Sequence, residues 1–273
     1  MYIRTNAGVG QAPAPATPPV VTSPMVRVAN ALVAPFQSIC RIVARSYDKP
    51  GLSIGTGFLI SPSYVLTCAH NIYPAQAPRT KSIEVFPAQN GPDASVVRHA
   101  SNGWAVSERW RSGDCRATAA DFGIIRLASP ARNAVFQLRQ FDPTLIAGKT
   151  ANLVGYPFGQ EALSRHMFRS TGPLIGALVI ESCGRDAQGG ETLRRRIFPA
   201  VAPTSGLIAH ALASAHGVSG GPLWLEEDGT RTIVGIHVRA IDSNTRGAAV
   251  LLNDAVRAEV ERMMTRALPP LRR

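Results

Sequence analysis

Three residues of this 273-residue chain have the types and surroundings for joint chemistry: a histidine after one apolar run, an aspartate before another, and a serine between glycines. His70 closes "YVLTCAH", Asp121 opens "DFGIIRLA", and Ser219 lies within "HGVSGGPLW". Singly, each has an ordinary explanation: a structural histidine, a strand-start cap and a tight turn, since Gly and Pro punctuate chains and Ser accompanies them. Together they suit acyl transfer. A serine hydroxyl is a poor nucleophile at neutral pH, so a neutral imidazole must take its proton and return it to a leaving group. A carboxylate must then hold that ring in one tautomer and stabilise its charged form. The glycines fit the same chemistry, because N–H groups of Gly217 and Ser219 could face an oxyanion only in a turn that a Cβ at 217 obstructs.

The elements that must position these residues are short strands. Apolar, β-branched runs such as "FQSICRIVARS", "GTGFLIS", "KSIEVF", "FGIIRLA", "TANLVGYP", "GPLIGALVIES", "RTIVGIHVR" and "GAAVLL" recur between Gly, Pro, Asn and Asp clusters. That spacing predicts an all-β barrel or sandwich. One helix is expected, from Asn253 or Asp254 as N-cap through "DAVRAEVERMMTRAL", with Val256, Val260, Met263 and Met264 on one face before Pro269,. Residues 128–149 read as the link between two strand-rich halves, each with enough strands for a small closed barrel.

Composition narrows the classes of function. The net charge is +11, yet only Lys49, Lys81 and Lys149 are lysines, and the arginines are scattered apart from "LRRRI" at 193–197. No nucleic-acid motif accompanies them, so no nucleic-acid partner is expected and a solvated basic surface is the better account. No apolar run reaches spanning length, so no membrane span is expected. The Pro/Ala-rich start does not resemble a Sec signal and reads as a disordered segment, which favours the cytoplasm or a non-Sec route. Cys40, Cys68, Cys115 and Cys183 form no CxxC pair; neither a metal site nor a cofactor is indicated, and no disulfide is assumed.

The motifs "VLTCAH", "DFGIIRL" and "GVSGGP", in that order, resemble those of the chymotrypsin-fold serine proteases over roughly residues 36–267,. "NLVGYP" at 152–157 is further similar to the bacterial branch containing the V8-like glutamyl endopeptidases. The resemblance implies two six-stranded antiparallel Greek-key β-barrels and a C-terminal α-helix. It divides the chain into a disordered segment 1–30, a barrel 31–135 carrying His70 and Asp121, a barrel 136–252 carrying Ser219, and a helix and tail 253–273. It implies a catalytic triad of His70, Asp121 and Ser219, with Gly217 and Ser219 as the oxyanion hole. Departures are informative. Val218 replaces the aspartate that pairs with a newly cut N-terminus in many secreted relatives, which disfavours that route of activation. Asn71 stands where those relatives often carry a disulfide cysteine, and Cys68 where alanine is usual.

The same resemblance places the P1 pocket between the residues before the serine turn and the strand "VGIHVRA". Ala213, Ser214 and Ala215 supply no acid for a basic P1 side chain. His237 falls where the V8-like enzymes place a pocket histidine, so cleavage after Glu, then Gln, is expected, with Ser214 adding a hydroxyl and His216 at the rim. Val238, Arg239 and Ala240 should offer backbone groups to an extended peptide. The expected partner is a protein or peptide substrate and the expected state a monomer. Two rival readings are a catalytically silent binding protein of this fold and a basic nucleic-acid or membrane-surface protein. His99, His166 and His210 carry no motif and read as structural or surface residues.

Overall fold

Period-two patterning accounts for much of the computed structural model, which describes residues 23–47, 51–73, 80–92, 97–111, 115–158, 165–185, 191–242 and 246–266. A short strand β1 (Val26–Arg27) precedes β2 (Ile39–Ser46), β3 (Ser53–Ser61), β4 (Tyr64–Thr67), β5 (Thr80–Pro87), β6 (His99–Val106) and β7 (Gly123–Leu127). In β5 the alternation is plain: Ile83, Val85 and Pro87 are buried and the residues between them are not,. Strands β2 to β7 close into an antiparallel barrel in the order β2-β3-β4-β7-β6-β5. The jump from β4 to β7 is a Greek-key return.

The second half contributes β8 (Thr150–Gly155), β9 (Phe168–Arg185), β10 (Glu191–Phe198), β11 (Leu207–His210), β12 (Pro222–Glu227), β13 (Thr230–Asp242) and β14 (Arg246–Leu251). The ring β8-β9-β11-β14-β13-β12 closes through the pairing of β12 with β8. The molecule is therefore two closed six-stranded antiparallel barrels of the chymotrypsin-like kind, as the strand spacing and the resemblance lead one to expect. Strand β10 stays outside the ring and pairs along the far part of β9 as a two-stranded arm.

Residues 128–149 are a packed connection between the barrels. Phe136 sits edge-on to Phe58 of β3 with ring centroids 5.8 Å apart, and 5.9 Å from Trp224 of β12, so one side chain fills the seam between the halves,. The expected helix forms as Asp254–Thr265, capped by the Asn253 side chain accepting from Val256 N–H at 3.0 Å. Val256, Val260 and Met263 are buried on its inner face.

The expected disordered segment needs correction over its last residues. Residues 1–22 lie outside the described residues. Val26 and Arg27, however, pair with Arg169 and Phe168 of β9, and Val28 and Ala31 are buried. Paired backbone groups and apolar burial order this stretch although its composition is Pro/Ala-rich.

Candidate active site

Ser219 lies in the turn that enters β12. The turn is bent by Gly217 at φ +91° and Gly220 at φ +89°, conformations that side chains with a Cβ rarely adopt,. A Cβ on Gly217 would meet Tyr156 O at 2.3 Å, and one on Gly220 would meet Thr56 O at 2.0 Å. The His216 carbonyl accepts the Phe158 N–H. Because a trans peptide points its N–H opposite its C=O, the Gly217 N–H is directed away from Phe158. Neither that N–H nor the one of Ser219 donates to an acceptor among the described residues. Two unspent donors thus flank a hydroxyl, the arrangement an oxyanion requires.

His70 sits on a single helical turn, α1 (Ala69–Ile72), that follows β4, while Asp121 precedes β7. The two strands are hydrogen-bonded neighbours, which carries both residues to one end of the first barrel. The buried Asp121 carboxylate accepts the His70 backbone N–H at 2.9 Å through Oδ1 and engages ring Nδ1 at 2.6 Å through Oδ2. With its proton on Nδ1, the ring presents Nε2 as a base. Burial works against the imidazolium of His70, but the charge and hydrogen bond of Asp121 outweigh it and raise the pKa, with Arg239 opposing,.

Ser219, Gly217, His216, Phe158, His70 and Asn71 line one cleft of about 250 Å³. Within it the Ser219 hydroxyl donates to Val238 O at 3.0 Å. No hydrogen bond joins it to His70 among the described residues, so the row imidazole–carboxylate is assembled and its serine end is turned toward a neutral carbonyl. Such contacts commonly tighten only when substrate is bound.

The serine turn is also stitched to the opposite barrel. Ser219 O accepts from Thr56 N–H at 2.9 Å and from Asn71 Nδ2 at 2.8 Å. Thr56 Oγ1 donates to Gly217 O at 2.7 Å and accepts the Tyr156 N–H at 3.0 Å, while Thr67 Oγ1 donates to Thr56 O at 2.6 Å. Residues of β3, β4 and α1 in this way fix the Ser219 turn of the second barrel. Asn71 thus performs as a hydrogen-bonded clasp at the position where relatives often carry a cysteine. Its room comes from Gly55, where a Cβ would lie 2.4 Å from the Asn71 side chain.

On the other side of the turn, His237 of β13 is buried against His210 of β11. Leu212 N–H donates to His210 Nδ1 at 3.2 Å, so the His210 proton is on Nε2, which meets His237 Nδ1 at 3.0 Å,. His237 must then carry its own proton on Nε2. Burial, and then the charge of His70, push the His237 pKa down to about 3. Burial and His237 likewise push His210 well below the ordinary range. Both rings are neutral at any physiological pH.

His210, read from sequence as a structural or surface residue, is thus the buried ring that fixes the tautomer of His237. Its signal lay in β14, where Gly247 faces it and a Cβ would come within 2.2 Å of the ring. Ser214 is buried, behind Ala213 whose carbonyl accepts from Ser170 Oγ at 2.7 Å. His216 is exposed at the cleft rim. Val238 is buried, whereas Arg239 and Ala240 are exposed.

Cys40 and Cys68 are free thiols, and the side chains of Cys115 and Cys183 lie outside the described residues. Cys68, His70 and Asp121 bring potential ligand atoms within 4.8 Å of one another. Burial and then the Asp121 charge raise the Cys68 thiol pKa well above its ordinary value, and the thiol donates to His237 O at 3.1 Å,.

The sequence profile of the trypsin-like peptidase domain matches residues 55–236, two thirds of the chain. The chain belongs to the trypsin-like peptidases. It is a serine protease. Among solved structures, this peptidase is similar to a Glu endopeptidase bound to MPD, with TM-score 0.66 and 20% identity over 89% of this chain and 97% of that one. It is also similar to a thermostable serine protease from an extremophilic microorganism, with TM-score 0.62 and 13% identity over 84% and 98%. The protease Anisep from Arthrobacter nicotinovorans gives TM-score 0.60 and 12% identity over 84% and 96%. At these identities the likeness is one of fold. No curated protein sequence matches this peptidase significantly.

Proposed function

We propose that this peptidase cleaves internal peptide bonds through an acyl-enzyme, with Ser219 as nucleophile, His70 as general base and acid, Asp121 orienting His70, and the N–H groups of Gly217 and Ser219 holding the oxyanion. The observation that carries this reading is the two-point grip of Asp121 on His70, at 2.9 and 2.6 Å, in a cleft shared with the Ser219 hydroxyl. On substrate binding, Ser219 Oγ swings from Val238 O to His70 Nε2 and attacks the scissile carbonyl as its proton passes to the ring. The imidazolium, stabilised by Asp121, then protonates the leaving amine. Water repeats the sequence on the ester to release the acid.

The preferred P1 residue in this proposal is Glu, then Gln. The Leu212 N–H, His210 and His237 form a chain that leaves His237 with a fixed Nε2–H donor, suited to a side-chain carboxylate or amide oxygen, and the carboxylate makes the stronger bond,. The fold-level likeness to a Glu endopeptidase supports the same choice. Ser214 and His216 complete the pocket and its rim, and the Val238–Ala240 edge receives the peptide backbone.

A fluorophosphonate probe should label the wild-type protein and not Ser219→Ala. A positional-scanning peptide library should then show cleavage after Glu above Gln. Dominant cleavage after Arg or Phe removes His237 from the pocket assignment, and an unlabelled wild-type protein refutes the nucleophile.

A further inference from the structure

Past Val238 the strand β13 has one open edge. Its pairing with β12 ends at Pro222 opposite Ile236, whereas its pairing with β14 runs on to Asp242 opposite Arg246. The backbone of residues 238–242 is thus unpaired on one side by any described strand, starting where Ser219 Oγ touches Val238 O. Beside this edge lies a cavity of about 220 Å³, separate from the cleft of His70 and Ser219. Leu178, Ile180 and Ile241 give it apolar walls, Thr118 closes it, and Arg195 and Arg239 bring two positive charges to it.

Both arginines are placed with respect to the reaction. Arg195, on the β10 arm, donates to Ile241 O at 2.7 Å, which fixes its guanidinium over β13. Arg239 lines the cavity, and its charge also acts on His70, lowering the pKa of that ring. Thr118 is tied to the same centre, because its carbonyl accepts the Asp121 N–H at 3.2 Å.

We infer that this cavity is a second recognition site for substrate, taking the carboxylate of an aspartate or glutamate at P2 to P4. The inference rests on the endopeptidase reading. A peptide laid antiparallel along the open edge rises about 3.4 Å per residue, so the stretch from Val238 to Ile241 covers about three residues upstream of P1. Guanidinium groups bind carboxylates in paired, charge-assisted hydrogen bonds, and apolar walls strengthen such a contact by excluding water. A lysine in the same place would meet two like charges.

The test uses full-length enzyme and peptides whose P1 is held at whichever residue is cleaved best, with Ala, Asp, Glu or Lys placed in turn at P2, P3 and P4. An acidic residue at one of these positions should raise kcat/KM about ten-fold over Ala, the size of one charged hydrogen bond, and Lys should lower it. The acidic advantage should shrink toward unity in R195Q combined with R239Q. In wild-type enzyme it should also weaken between about 0.05 and 0.5 M salt, a readout that needs no variant. A flat profile across the three positions, or an acidic advantage indifferent to both salt and substitution, overturns the inference. Since only a ratio at an accepted P1 is read, failure of the Glu preference at P1 leaves this result interpretable.

Discussion

The serine turn is flanked by two histidines whose partners are opposite in kind. His70 meets a carboxylate at 2.6 Å, His237 another imidazole at 3.0 Å. Burial disfavours the charged form of both, yet only His70, supplied with an anion, ends above the ordinary value, while His237 falls to about 3. In the proposed mechanism one ring accepts a proton during turnover and the other donates a hydrogen bond without ionising. The role of a histidine here is set by what faces its Nδ1, not by its depth in the protein.

The largest break in that contrast is Asp121→Asn. It removes the anion and permits the wrong tautomer, so kcat should fall about 10⁴-fold. What remains at His70 is burial and Arg239, both of which lower its pKa. The acid limb of residual kcat/KM should therefore move to lower pH, and a limb that moves up would contradict the assignment of Asp121 as the cause. His237→Leu comes next. It deletes the proposed P1 donor and should cost about 10²-fold in the Glu-over-Leu preference at P1, the size of an unpaired charged group. His210→Leu should give a smaller loss in the same direction, because it frees the His237 tautomer without removing the donor.

Acid stability distinguishes the rings again. His237 and His210 stay neutral when folded but ionise near 6.5 when unfolded. The unfolded chain thus binds the extra protons, and stability falls as pH drops below about 6.5, by about 1.4 kcal/mol per pH unit for each ring. His70 has the reverse sign: its raised pKa contributes stability that is complete below the unfolded value and lost as pH rises through the folded one. Urea titrations at pH 7 and pH 5 should show the acid loss reduced by one proton's slope in His237→Leu; an unchanged slope would mean that His237 is charged in the fold.

Legibility in the sequence divides along the same line. The strands and the helix were readable because period-two and period-3.6 patterning is local, while the pair of barrels came from the family resemblance. The candidates His70, Asp121 and Ser219 stood out because each sits in a short motif beside a strand. The clasp of Thr56, Thr67 and Asn71 was not, since hydroxyl and amide side chains signal nothing until the barrels bring residues far apart in sequence together. Nor was His210, whose pairing with His237 depends on β14 lying between their strands and on the space left by Gly247. Patterning also misread residues 23–30, where composition argued for disorder and the edge of β9 supplied a partner.

The smallest predicted effect carries the most discriminating sign. Arg239 opposes the Asp121 charge at His70 from the exposed end of β13. Arg239→Gln leaves Asp121 and burial in place and takes away this opposing cation, so the His70 pKa should rise and the acid limb of kcat/KM should move to higher pH, opposite to Asp121→Asn,. Because Arg239 is solvent-exposed, the shift should fade at about 0.5 M salt, whereas the shift in Asp121→Asn, caused by a buried carboxylate, should persist. Two variants moving one limb in opposite directions, one screened by salt and one not, would locate the titrating group between them; a common direction would exclude His70 as that group.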